Sequence, residues 1–191
     1  MRRRRYEAVV IAASTGGIEA LRAVLRAVDP RIAAPVVIVQ HTASENAQAL
    51  CDVLAAGSAI PVVEAESRQP LVNGCAYLAP PGYHLLVEPG PRAALSMDEK
   101  VCHVRPSADV LFTSAADVWR GGLIGIVLTG ANEDGAAGMA AIRSRRGLAV
   151  VQKPEEAEMR EMPEATLRRA GADHVLSLQE IGPLLNRLLC R

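Results

Sequence analysis

Aromatic residues make up only 3% of the 191-residue chain, too few to build the stacking platforms that bind single-stranded nucleic acid. Charge of one sign is lacking as well: 21 Lys and Arg balance 21 Asp and Glu. No overall field therefore draws the protein to nucleic acid or to an anionic membrane. Nowhere does an apolar run approach the roughly 20 residues that cross a bilayer as a helix. The four cysteines, Cys51, Cys75, Cys102 and Cys190, contain no C-x-x-C pair and are too sparse for a disulfide scaffold. They are expected to be reduced thiols of a cytoplasmic protein, and none has a nucleophile's surroundings. The basic start, Met1 to Arg5, is followed by an apolar stretch, Ala8 to Ala13, that is short for a signal peptide and runs into Ser-Thr-Gly-Gly, so a signal peptide is not expected. Its arginines read as a solvated terminus rather than a nucleic-acid arm.

What is present is apolar: half of the residues, enough to bury a core of one-domain size. Short apolar runs at Glu7 to Ala12, Val36 to Gln40, Ile60 to Val63, Ala76 to Ala79, Leu123 to Leu128, Leu148 to Val151 and His174 to Leu176 read as buried parallel strands. Between them Ile18, Leu21, Val24, Leu25 and Val28 recur at helical spacing, as do Leu50, Val53 and Leu54, and Val110, Leu111, Ala115 and Val118. Alternating strands and helices predict an α/β fold, a doubly wound and mainly parallel sheet with helices on both faces. Turn chemistry at Asn73-Gly74, Pro80-Pro81-Gly82 and Pro89-Gly90-Pro91 predicts an antiparallel excursion over 75–104. Arg143, Arg145 and Arg146 before Gly147 mark a helix C-terminus, and Ser177 with Glu180 forms a capping box ahead of a last amphipathic helix.

The first strand delivers Ala12-Ala13-Ser14-Thr15-Gly16-Gly17 straight into a helix, which puts Ser14 at the carboxyl end of a parallel strand, where open α/β sheets place their sites. The turn is similar in principle to a nucleophile elbow, and the free N–H groups of the helix start can serve a developing oxyanion. A phosphate-binding turn is the competing reading, but it needs G-x-G-x-x-G and an acidic residue about 20 positions on, and neither is here. His41, at the end of the second strand, suits a general base, or it is a structural histidine. Asp134, in the loop after Leu123 to Leu128, suits a group that orients the imidazole, or it merely caps a helix. Three strand ends on one sheet edge thus supply serine, histidine and aspartate, which points to a triad defined by geometry rather than by chain order.

At Ala13-Ser14-Thr15-Gly16-Gly17, Gln40-His41, Arg105-Pro106-Ser107-Ala108-Asp109-Val110-Leu111-Phe112, and Leu128-Thr129-Gly130 with Asp134-Gly135-Ala136-Ala137-Gly138-Met139, the chain resembles the CheB methylesterase family. The matches come in family order and reach Met162-Pro163. The resemblance implies hydrolysis of glutamate γ-methyl esters on chemoreceptor helices, with deamidation of particular glutamines as a second activity. It implies Ser14 as nucleophile, His41 as base and acid, Asp134 as orienting group, and Thr15, Gly16 and Gly17 as oxyanion turn. It implies no metal and no cofactor. Arg105 either binds an acidic group near the ester or forms a structural salt bridge where a helix begins.

Departures from the pattern are Ala12 for a glycine, Val104 where some members carry histidine, Glu161 for a glycine, and Ala131-Asn132-Glu133 where the family has Met-Gly-x. At that last site Asn132 is expected to adopt the left-handed backbone of the replaced glycine. The family's regulatory receiver domain is expected to be absent, residues 1–191 being one catalytic domain, either stand-alone or excised. A catalytically weak or inactive signalling module of the same fold is the alternative function. Nucleotide-dependent oxidoreduction is a weaker rival, since its loop and acid are missing.

Overall fold

A computed structural model describes residues 6–42 and 46–190; the arginines of Met1 to Arg5 lie outside the described residues. Its centre is a seven-stranded sheet made of β1 (Ala8–Ala13), β2 (Val36–Gln40), β3 (Val62–Glu64), β4 (Ala76–Leu78), β7 (Leu123–Val127), β8 (Leu148–Gln152) and β9 (His174–Leu176), in the order β3-β4-β2-β1-β7-β8-β9. Every pairing in it is parallel. The chain winds from β1 outward through β2 to one edge, then returns beside β1 with β7 and winds to the other. The order therefore reverses between β1 and β7, the place where open sheets of this kind put their ligand crevice, beyond the strands' carboxyl ends.

Side chains alternate across β1, so Val9, Ile11 and Ala13 face one layer while Ala8, Val10 and Ala12 face the other. The first layer holds α1 (Gly17–Ala27), α2 (Ala47–Ala55) and α6 (Leu178–Leu189), which bury Leu21, Val24, Leu25, Leu54, Ile181 and Leu185. The second holds α3 (Ala108–Trp119), α4 (Ala136–Ser144) and α5 (Glu161–Arg169), together with the hairpin β5 (His84–Glu88) and β6 (Arg92–Ser96). Each fully buried Leu or Ile contributes about 1.5–3 kcal/mol, so the two apolar layers clamp the sheet from both sides. No helix among the described residues is long and apolar enough to cross a membrane.

The antiparallel excursion is narrower than 75–104: Ala76–Leu78 joins the parallel sheet, and among the strands of the described residues β5 and β6 are the antiparallel pair, with an isolated antiparallel bridge between Val101 and Val104. Buried Ala76, Tyr77 and Leu78 have the all-apolar character of a central strand, which outweighs the turn residues on either side. The capping box of α6 forms, with the Glu180 carboxylate accepting from the Ser177 N–H at 2.9 Å and hydroxyl at 2.7 Å. At the end of α4 the left-handed residue is Arg146 (φ 66°), not Gly147. Gly147 donates instead to the Ile142 carbonyl, and a Cβ there would lie 2.4 Å from the Ile142 side chain, so its glycine serves close packing.

Candidate active site

Ser14 follows β1 directly and is held from three directions. Its N–H donates to the Thr129 carbonyl at 2.9 Å, its carbonyl accepts from the Gly17 N–H at 2.8 Å, and the same carbonyl accepts from Gln40 Nε2 at 2.8 Å. The sharp turn is made at Gly16 (φ 73°), so Ser14 itself carries none of the left-handed strain of a nucleophile elbow. Because the Gly17 N–H is already used, the N–H groups of Thr15 and Gly16 are those that donate to no group among the described residues. A Cβ on Gly17 would come within 2.2 Å of Gln40 Oε1, so that glycine makes room for Gln40.

His41 directly follows β2, its N–H bonded to the Ala13 carbonyl at 3.0 Å, which seats it beside the Ser14 turn. Its ring is only 9% exposed, and Nε2 lies 2.8 Å from Oδ2 of the fully buried Asp134. On the other ring nitrogen, Nδ1 stands 3.3 Å from Asn132 Nδ2. An amide nitrogen can only donate, so Nδ1 carries the lone pair and Nε2 the proton directed at Asp134. No hydrogen bond joins the Ser14 hydroxyl to the ring among the described residues, although both line one cavity of about 360 Å³ with Thr15, Gly16 and Gly17.

Asp134 lies at the start of α3 rather than capping its own helix. One oxygen accepts from the Ser107 hydroxyl at 2.7 Å and the Asp109 N–H at 3.0 Å, the other from the Ala108 N–H and His41. Burial pushes its carboxyl up, but these bonds to His41, Ser107, Asp109 and Ala108 outweigh it, and the group sits below the ordinary carboxylate range. A helix N-terminus also favours a negative charge. Neighbouring Asp109 accepts from the Gly135 and Gly138 N–H groups at 2.9 and 2.6 Å, yet burial dominates and raises its carboxyl.

Cys102 approaches the same carboxylates, its Sγ 3.9 Å from Asp109. Burial, with the fields of Asp134, Asp109 and Glu133, pushes its thiol up to about 11, so it is a neutral donor at ordinary pH. Ligand atoms of the three groups lie within 4.8 Å of one another, but the carboxylate oxygens already accept from backbone N–H groups.

Arg105 forms no ion pair among the described residues; Nη1 donates to the Met97 and Asp98 carbonyls at 2.8 and 2.9 Å. With His41, Lys100 and His103 it lines a second cavity of about 190 Å³. Asn132 is not left-handed: its Oδ1 accepts from the Asp134 N–H at 3.0 Å, and this side-chain turn replaces the backbone turn expected of glycine. Gln40 and Ser107 carry parts the motifs alone did not assign. Buried Gln40 donates from one amide to the carbonyls of both Ser14 and His41, each at 2.8 Å. Ser107 was legible as an N-cap, since serine stands just before the apolar face of α3.

A family model described as CheB methylesterase matches residues 9–185. The chain belongs to the CheB methylesterase family. It is similar to a Leptospira interrogans relative, 42% identical over 96% of this chain and 95% of that one. A Caulobacter vibrioides relative named protein-glutamate methylesterase/protein-glutamine glutaminase 2 is 37% identical over 94% of this chain and 53% of its own length. The Myxococcus xanthus protein-glutamate methylesterase FrzG is likewise 37% identical, covering 94% of this chain and 54% of its own length. The crystal structure of the Thermotoga maritima CheB methylesterase catalytic domain superposes with a TM-score of 0.93 at 29% identity, covering 96% of this chain and 99% of that one. As in that CheB domain, a mainly parallel sheet carries a small antiparallel hairpin.

Proposed function

We propose that this CheB-family chain is a serine carboxylic-ester hydrolase of a chemosensory pathway, removing the methyl group from glutamate γ-methyl esters on the cytoplasmic helices of chemoreceptors. Deamidation of glutamine at such sites is the parallel reaction, because ammonia can leave where methanol does. The observation that carries the reading is the 2.8 Å contact of His41 Nε2 with buried Asp134, beside a serine at the sheet's point of reversal. It leaves Nδ1 as the nitrogen that serves Ser14.

Ser14 Oγ attacks the ester carbonyl carbon while its proton passes to Nδ1. The oxyanion that forms is met by the Thr15 and Gly16 N–H groups. Collapse breaks the bond to the methoxy oxygen, which takes the proton from Nδ1 and departs as methanol. Water then repeats both steps on the acyl-enzyme, restoring the hydroxyl of Ser14 and releasing the free carboxylate. Asp134 keeps its negative charge throughout and stabilises the imidazolium. These steps use the chain's own side chains and call for no cofactor.

The site of action is the cytoplasm, where the signalling helices of chemoreceptors lie, with membrane association only through those receptors. No observation favours the non-catalytic module. The test is incubation of the full chain with methylated receptor membranes, with methanol measured, alongside labelling by a fluorophosphonate. Methanol release and a label on Ser14 are expected; absence of both would overturn the proposal.

A further inference from the structure

Asn132 touches the proposed base at the atom on which the chemistry turns. Its Nδ2 stands 3.3 Å from His41 Nδ1, while its Oδ1 accepts from the Asp134 N–H at 3.0 Å. The second bond settles which end of the amide faces the ring. Only the nitrogen end reaches Nδ1, and it donates to the neutral ring's lone pair. That lone pair is the one available to the proton of Ser14, since Nε2 is committed to Asp134.

We propose that Asn132 is a positioning residue that restrains the base: it holds His41 as the Nε2–H tautomer and competes with the Ser14 hydroxyl for Nδ1. The proposal rests on the reading of His41 as general base. A hydrogen bond donated to neutral imidazole favours the neutral form over imidazolium, because a protonated Nδ1 would face a second donor. The amide must therefore withdraw, or lose its bond, each time the proton of Ser14 is taken. Its orienting effect on the tautomer is helpful, and its occupation of the lone pair slows proton transfer.

Other charged groups around the ring are the same in every variant compared below. Asp134 bonds Nε2, Lys100, His103 and Arg105 line one cavity that His41 borders, and Glu19 of α1 lines the other. Differences in pH behaviour between residue-132 variants thus report on that residue. Asn132→Ala removes the donor. Asn132→Asp keeps an oxygen for the Asp134 N–H, which preserves the turn, and places an acceptor at Nδ1 in place of a donor.

The experiment follows fluorophosphonate labelling of the full chain against pH, together with the imidazole titration of His41 by nitrogen NMR. With Asn132→Ala the plateau labelling rate is expected to rise about threefold to tenfold, the range one modest hydrogen bond spans, and the acid limb to move to higher pH. With Asn132→Asp the acid limb and the NMR midpoint should both move upward by about one pH unit or more, as a carboxylate at contact favours imidazolium. Unchanged limbs and midpoints in both variants would overturn the proposal. If the alanine variant distorts the Asp134 turn, its rate falls, and the aspartate variant still decides through its limb. If no protein labels at all, the hydrolase reading fails, while the His41 midpoints continue to test the contact with Asn132.

Discussion

His41 Nε2 and Asp134 Oδ2 are 2.8 Å apart, and the aspartate's charge is drawn from solvent into the start of α3. Asp134 is thereby both the imidazole's partner and the anion that satisfies first-turn N–H groups of a different helix. The proposed reaction and the packing of α3 share one carboxylate.

Replacing Ser14 with Ala should lower methanol release by about a thousandfold or more while changing stability by less than about 0.5 kcal/mol. Ser14 is partly exposed, and its hydroxyl makes no hydrogen bond with His41 to lose. A His41→Ala change on top of it should add little, because residues of one catalytic unit act together. Fully additive losses in the double variant would argue against a shared proton path.

Asp134 and Asp109 should show opposite pH trends in stability. Asp134 has a folded-state carboxyl below its unfolded value, so its contribution is present above about pH 4 and lost as pH falls through the folded pKa. Asp134→Asn should cost about 2–4 kcal/mol near pH 7, since donors are left poorly matched, and the gap to the unaltered protein should narrow below pH ~4. Asp109 has a raised carboxyl, so its contribution is present at low pH and is lost as pH rises through the folded pKa. Its gap, for Asp109→Asn, should widen on acidification. Urea unfolding at several pH values checks both; parallel trends would contradict the assignment.

Gln40 bridges the carbonyls of Ser14 and His41, so Gln40→Glu keeps the shape and removes both donors. Turnover should fall about tenfold to a hundredfold through misplacement of the two residues, with KM much less affected. Steady-state kinetics on a methylated receptor reads the split, and an equal change in both constants would show that Gln40 shapes binding instead.

Gly130 admits no side chain: a Cβ would lie 2.8 Å from Ser14 Cβ and 2.0 Å from Met162 Sδ. Met162 can swing, but Ser14 is pinned by its own hydrogen bonds. Gly130→Ala should therefore depress activity by more than its loss of thermal stability explains. Full activity in a folded variant would show that the serine turn tolerates displacement.

Much of this was readable from residues alone. Buried runs such as Val36–Gln40 and Leu123–Val127 announce themselves because an all-apolar segment bounded by turns has one stable place, inside a covered parallel sheet. Ser14, His41 and Asp134 were legible as candidates because each follows such a run. Ala76 to Ala79 was legible as a buried strand too, but the prolines and glycines beyond it also drew 75–104 into one antiparallel excursion, and so short a strand leaves too little pattern to set that boundary.

Periodicity and strand ends are local properties, so the residue pattern alone sets the α/β layering and the sheet edge to which the polar residues are brought. Tertiary structure alone decided that Asp134 serves α3, that one Gln40 amide spans two carbonyls, and that Asn132 faces Nδ1 rather than taking a glycine's backbone. Each of these depends on groups 25 to 91 residues apart meeting within hydrogen-bond distance. Such a partner is chosen by how the buried layers close, and no local pattern records it.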